Sequence, residues 1–163
     1  MTDQDDAKAF HATLLEQERD IQFDSFDHND AWAVGTMLRT WASEQNLPVA
    51  IAVMLGEQRA FHAGLPGSTA ENDWWLGRKF RVVGHFGHSS LAVGTDFKAR
   101  GLSFETDSDL DFEQYAAHGG AFPLIVGGSI IGVVGVSGLA QREDHALVVK
   151  ALTAHRDNAS AGS

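Results

Sequence analysis

A glycine-turned hairpin near the C-terminal end constrains this chain more than any other feature. Phe122-Pro-Leu-Ile-Val126 leads into Gly127-Gly128, and Ser129-Ile-Ile-Gly-Val-Val-Gly-Val-Ser137 leads out. Apolar, β-branched runs on either side of two glycines predict a tight turn, because glycine supplies the positive φ angles that primed hairpin turns require. Residues 121–137 then form an antiparallel pair, and the remaining chain must cover it.

A second pair is expected upstream. Pro48-Val-Ala-Ile-Ala-Val-Met-Leu55 reads as a central strand, Gly56-Glu-Gln58 as a turn, and Arg59–Gly64 as the returning strand. Leu65-Pro-Gly67 breaks the sheet. Helices are predicted over 7–18 and about 28–45. In the second, Val34, Leu38 and Trp41 face the core, with Asp27 or Asn29 as cap. Ser68-Thr-Ala-Glu71 reads as a capping box starting a helix from about 69 to 86. Further helices are expected over 89–98, 107–118 and 141–155, and Ile21–Phe23 as a brief strand. Hairpins grouped between helices predict an α+β fold, an antiparallel sheet from two β-hairpins flanked by helices. Residues 7–157 are expected to form one domain, with 1–6 and 158–163 as flexible termini.

Composition excludes several functions. The chain has 163 residues, 12 Lys and Arg against 22 Asp and Glu, and a formal net charge of −10. So acidic a surface repels nucleic-acid backbones and anionic membranes. No apolar stretch approaches the roughly 20 residues of a membrane span. The acidic start, Met1–Asp6, lacks the apolar core of a signal peptide. There is no cysteine, which removes thiolate chemistry and fits a reducing compartment. A cytoplasmic location is the expectation.

Three apparent motifs fail on spacing. Gly132-Val-Val-Gly135-Val-Ser-Gly138 lies within a strand and lacks the dinucleotide pattern, so its glycines are read as making room for close approach. Gly135-Val-Ser137-Gly138 has Leu139 where a nucleophile elbow needs glycine. Asp107-Ser-Asp109-Leu-Asp111 would place Phe112 where a calcium loop needs glycine.

The helix over 69–86 carries more chemistry. At 100° per residue, Trp74, Arg78, Arg81, His85 and His88 fall on one stripe if the helix persists. Trp75, Leu76, Phe80, Val82, Val83 and Phe86 fall on the other side. Arg78 and Arg81 suit a carboxylate or phosphate, and His85 with His88 can share a ligand or metal. The alternatives are a solvated face or salt bridges between subunits. His118-Gly119-Gly120 precedes the last hairpin and Asp144-His145 follows it. His118, Asp144 and His145 are the acid–base candidates, and Gly119 and Gly120 are expected near a ligand. A structural role for each histidine competes with this.

Five segments together resemble the haem-degrading-domain family, which includes proteins of the GlcG and HbpS types. They are Asn72-Asp-Trp-Trp-Leu-Gly-Arg-Lys79, Phe86-Gly-His-Ser-Ser90, His118-Gly-Gly-Ala-Phe-Pro123, Ile131-Gly-Val-Val-Gly-Val-Ser-Gly-Leu139 and Glu143-Asp-His145. The resemblance spans about residues 10–155. It implies a profilin-like or PAS-like sandwich, a symmetric homo-oligomer, and haem or another small anion as ligand, with haem degradation as the activity in the family's name. A non-enzymatic assembly or adaptor protein, with Trp32, Trp74 or Trp75 as interface anchors, is the alternative.

Overall fold

The structure is a computed structural model that describes residues 2–161. Two hairpins build its sheet. β1 (Ala50–Leu55) pairs with β2 (Gln58–Gly64), and β3 (Ala121–Val126) with β4 (Ser129–Ser137). The hairpins join through β1 and β4, giving the antiparallel order β2-β1-β4-β3. Gly127 and Gly128 turn the second hairpin with φ of 57° and 80°, both in the region that glycine favours. Ile21–Phe23 contributes only a single parallel bridge, from Phe23 to Val126.

Strand alternation gives the sheet two different faces. Ile51, Val53, Phe122, Leu124, Val134 and Val136 are buried on one face. α2 (His28–Glu44) and α6 (Gln141–Ala161) cover them with Val34, Leu38, Val148 and Leu152. The opposite face presents small residues, among them Ala50, Ala52, Ala121 and Gly135. α3 (Ala70–Phe86) packs there through Leu76, Phe80 and Val83. A Cβ on Gly135 would stand 2.4 Å from the Phe80 ring, so this glycine admits the helix. α4 (Ser90–Ala99) extends that layer, and α1 (Asp3–Asp20) packs on α4. The fold is the expected α+β sheet flanked by helices. Among the described residues, no helix is long and apolar enough to cross a membrane.

Four local expectations need correction. Residues 3–6 are the first turn of α1, where Thr2 and Asp5 form a reciprocal capping box, and α6 runs on to Ala161. Met1, Gly162 and Ser163, also expected to be flexible, lie outside the described residues. α3 is capped by Thr69 with Asn72, because Ser68 is engaged in the Pro66-Gly67 turn, where its hydroxyl donates to the Leu65 carbonyl at 2.6 Å. No helix spans 107–118. α5 covers only Phe104–Asp107, and Asp109 then takes φ 62°. The carbonyls of Phe112 and Gln114 accept from arginines of α3 instead of from their own segment. Finally, α3 ends at Phe86, where Gly87 caps it with φ 74°, so His88 leaves the helical stripe.

Candidate functional site

The buried face of α3 carries one charged residue. Lys79 follows Leu76 by three positions and precedes Val83 by four, which places it in the apolar stripe. A lysine there needs partners. Its Nζ lies 3.2 Å from Asp144 Oδ2 and donates to the Val136 carbonyl at 3.3 Å. Asp144, in the first turn of α6, also accepts from the amides of Leu139 at 3.0 Å and Gly138 at 3.3 Å. The two side chains are 4% and 2% exposed. Burial pushes the Lys79 amine down and the Asp144 carboxyl up, while their mutual attraction opposes both shifts.

A cleft of about 260 Å³ opens beside this pair, walled by Asn72, Trp75, Lys79, His118, Gln141 and Asp144. The His118 ring lies 5.1 Å from that of Trp75 at a tilt of 34°, and its Nε2 is 3.6 Å from Glu105 Oε1. His118 and Asp144 therefore meet at one cleft across 26 residues of chain. Gly119 and Gly120 support it from behind. A Cβ on Gly119 would stand 2.3 Å from the Gln141 carbonyl oxygen. One on Gly120, at φ 137°, would stand 2.4 Å from that of Val136 and 2.8 Å from Lys79 Nζ. Both glycines make room for the protein's own atoms.

The other anticipated site residues are dispersed. His145 turns away from the cleft and is buried, with Nε2 2.8 Å from Gln17 Oε1 and its ring 5.9 Å from Phe122. Burial lowers its pKa to about 4, and its Nδ1 has no hydrogen-bond partner among the described residues. Arg78 lays its guanidinium 4.1 Å from the Trp75 ring centre and 4.5 Å from that of Phe112, and it donates through Nε and Nη2 to the Phe112 carbonyl. Arg81 donates to the Gln114 carbonyl at 3.1 Å. His85 packs against Phe86 and Tyr115. His88 Nδ1 lies 3.0 Å from Glu18 Oε1 on α1, and burial raises the Glu18 carboxyl. The two imidazoles thus share no helical face. No cluster of three or more His, Asp or Glu placed to hold a metal ion occurs among the described residues.

A larger concavity of about 670 Å³ lies where α3 crosses the ends of β1 and β4. Met54, Phe80, Val83, Ile131 and Val133 make it apolar, with Arg81 and Glu57 also among its lining residues. Of the anticipated stripe, only Arg81 reaches it. Sequence reasoning missed Lys79 and Met54. Lys79 carried a readable signal, a cation at a core-facing helical position, whereas Met54 reads as an ordinary strand residue.

Residues 26–153 match the model of a family described as haem degrading protein HbpS-like. A UPF0303 protein of Streptomyces coelicolor is 51% identical over 142 residues, covering 86% of this chain and 90% of its own. The crystal structure of the Ybr137w protein matches with a TM-score of 0.84 at 30% identity, covering 91% of this chain and 88% of that one. A PduOC:haem complex matches at 0.66 with 17% identity, covering 80% and 94% of the two chains, which is a likeness of fold alone.

Proposed function

The chain belongs to the HbpS-like haem-degrading protein family, and on that premise we propose that it binds a flat, largely apolar anion of the haem type in the groove between α3 and the ends of β1 and β4. One observation carries this reading: an apolar concavity of about 670 Å³ that Arg81 borders, its guanidinium resting on the nearby Gln114 carbonyl. Its volume falls within the roughly 300–1,000 Å³ typical of small-molecule sites. A porphyrin ring needs such a slot, and its propionates need a cation. The lining offers one candidate axial ligand, the thioether of Met54, and among the described residues no imidazole lines the groove. Among the solved structures of this fold, PduOC was crystallised with haem.

Haemin titration tests the reading. A saturable Soret shift is expected, weakened about tenfold or more by Arg81→Glu, in line with loss of a charge-assisted contact. Met54→Leu should move the Soret position, and His85→Ala and His88→Ala should leave it unchanged. Absence of a saturable shift, or unchanged affinity in Arg81→Glu, overturns it.

Self-association is a second reading, carried by Trp74 and Trp32, which are 70% and 65% exposed. Exposed indoles are effective interface anchors. Light scattering should show a homo-oligomer at micromolar concentration, and a strict monomer rejects this reading.

A further inference from the structure

The cleft beside Lys79 shares no lining residue with the haem-type groove, and at about 260 Å³ it lies just below the usual range for drug-sized ligands. Its chemistry therefore concerns a compound of a few carbons. A buried ammonium paired with a carboxylate sums to no net charge, so the pair offers little attraction to an added anion. What it offers instead is an amine and an acid within one proton transfer of each other.

The geometry points to Lys79 as a carbonyl-reactive lysine, and to the cleft as a site where a small aldehyde or ketone forms an imine with it. Its Nζ is held loosely for an ion pair. The contacts at 3.2 and 3.3 Å both exceed the roughly 2.7–2.9 Å of a tight charge-assisted bond. Among the described residues no third hydrogen-bond partner holds the amine, and Lys79 borders the cleft. Trp75 and His118 supply a flat wall for an sp² carbon. Gln141 Oε1 accepts from the Gly119 amide at 2.9 Å, which leaves the Gln141 amide nitrogen free to donate to a polar substituent. Burial drives both members of the pair towards their neutral forms, which supports the same assignment.

The step balances without an outside reagent. Lys79 passes one proton to Asp144, leaving a neutral amine and a carboxylic acid. The nitrogen lone pair attacks the carbonyl carbon, and the C=O π electrons move to oxygen. A proton shifts from nitrogen to that oxygen, giving a carbinolamine. Asp144 then protonates the hydroxyl, the C–O bond breaks, and water leaves as the nitrogen forms the C=N bond. An iminium now faces the Asp144 carboxylate. Charge at the site is the same as at the start, so the Gly138 and Leu139 amides that hold the carboxylate also suit the product.

The chain has four lysines, and Lys8, Lys98 and Lys150 are exposed, which makes a selective test available. The intact protein is incubated with limiting propanal, pyruvate or acetone and sodium cyanoborohydride, then mapped by peptide mass spectrometry. With at least one probe, Lys79 should be alkylated at least about tenfold faster than any exposed lysine, against the order that accessibility alone would give. Lys79→Arg should abolish the single early adduct. Because the mapping reads the unaltered chain, its outcome does not depend on that variant folding. Adducts that favour Lys8, Lys98, Lys150 or the amino terminus with all three probes overturn the proposal. Haemin affinity is unaffected by either result, so this inference and the haem-type reading fail separately.

Discussion

His145 is buried with its ring against Phe122 and its Nε2 on Gln17, and burial holds its pKa at about 4. The unfolded chain takes up this proton near 6.5, while the folded chain resists it until about 4. The contribution to stability is therefore fully present above pH 6.5 and is lost as pH falls from 6.5 to 4, by about 3 kcal/mol. Urea unfolding at pH 7, 6 and 5 should show this decline in the parent and a shallower one in His145→Gln. Equal slopes would mean that the ring is not what resists protonation. Glycines give a second contrast at the same scale. Gly84→Ala meets nothing within 4 Å in the interior of α3 and should stabilise by about 0.5–1 kcal/mol. Gly120→Ala must fit a Cβ 2.4 Å from the Val136 oxygen at φ 137° and should cost more than about 2 kcal/mol. Denaturant midpoints of the two variants, moving in opposite directions, check the pair.

α3 acts as the organiser of a neighbouring segment that makes no helix of its own. Arg78 bonds the Phe112 carbonyl and covers two rings, Arg81 bonds the Gln114 carbonyl, and the Ala116 amide donates to the Arg78 carbonyl at 3.2 Å. Arg78→Ala should therefore raise amide hydrogen exchange across 108–118 while leaving β3 and β4 protected. Arg78→Lys should not restore protection, because an ammonium cannot supply the planar fork and the ring stacking together. Unchanged exchange in Arg78→Ala would show that the segment holds itself. This dependence also explains what could be read from the sequence. Both hairpins and α2 were legible because turn glycines, β-branched runs and Asp27 act on their own neighbours. Thr2-Asp-Gln-Asp5 carries the same kind of local signal, but its polar composition reads as fraying. The course of 107–118 was not legible, because its hydrogen-bond acceptors are claimed by arginines about 30 residues earlier. His118 and Asp144 could be suspected of meeting across the hairpin. Their convergence on Lys79 required the packing of α3 against the sheet.

At the scale of the molecule, α1 lies outside the family match, which begins at residue 26, yet it closes the side of the fold that holds His145. Leu14 is fully buried against Leu91 and Ala92, Gln17 holds the His145 ring, and Glu18 pairs with His88. A chain lacking residues 1–20 would lose all three contacts together. Burial of a leucine side chain alone is worth about 1.5–3 kcal/mol, and the exposed Leu91 and Ala92 add to that loss. The truncated chain should unfold at a clearly lower urea concentration than the parent. Solvent would also reach His145, so its pKa should rise from about 4 towards 6.5, followed by NMR titration of the ring protons. The two readouts separate two roles for α1. A lower midpoint with His145 still neutral at pH 5 makes the helix a clamp on α4 only. A raised pKa makes it the cover that keeps the interior beneath β3 dry. An unchanged midpoint together with an unchanged pKa would remove α1 from the core altogether.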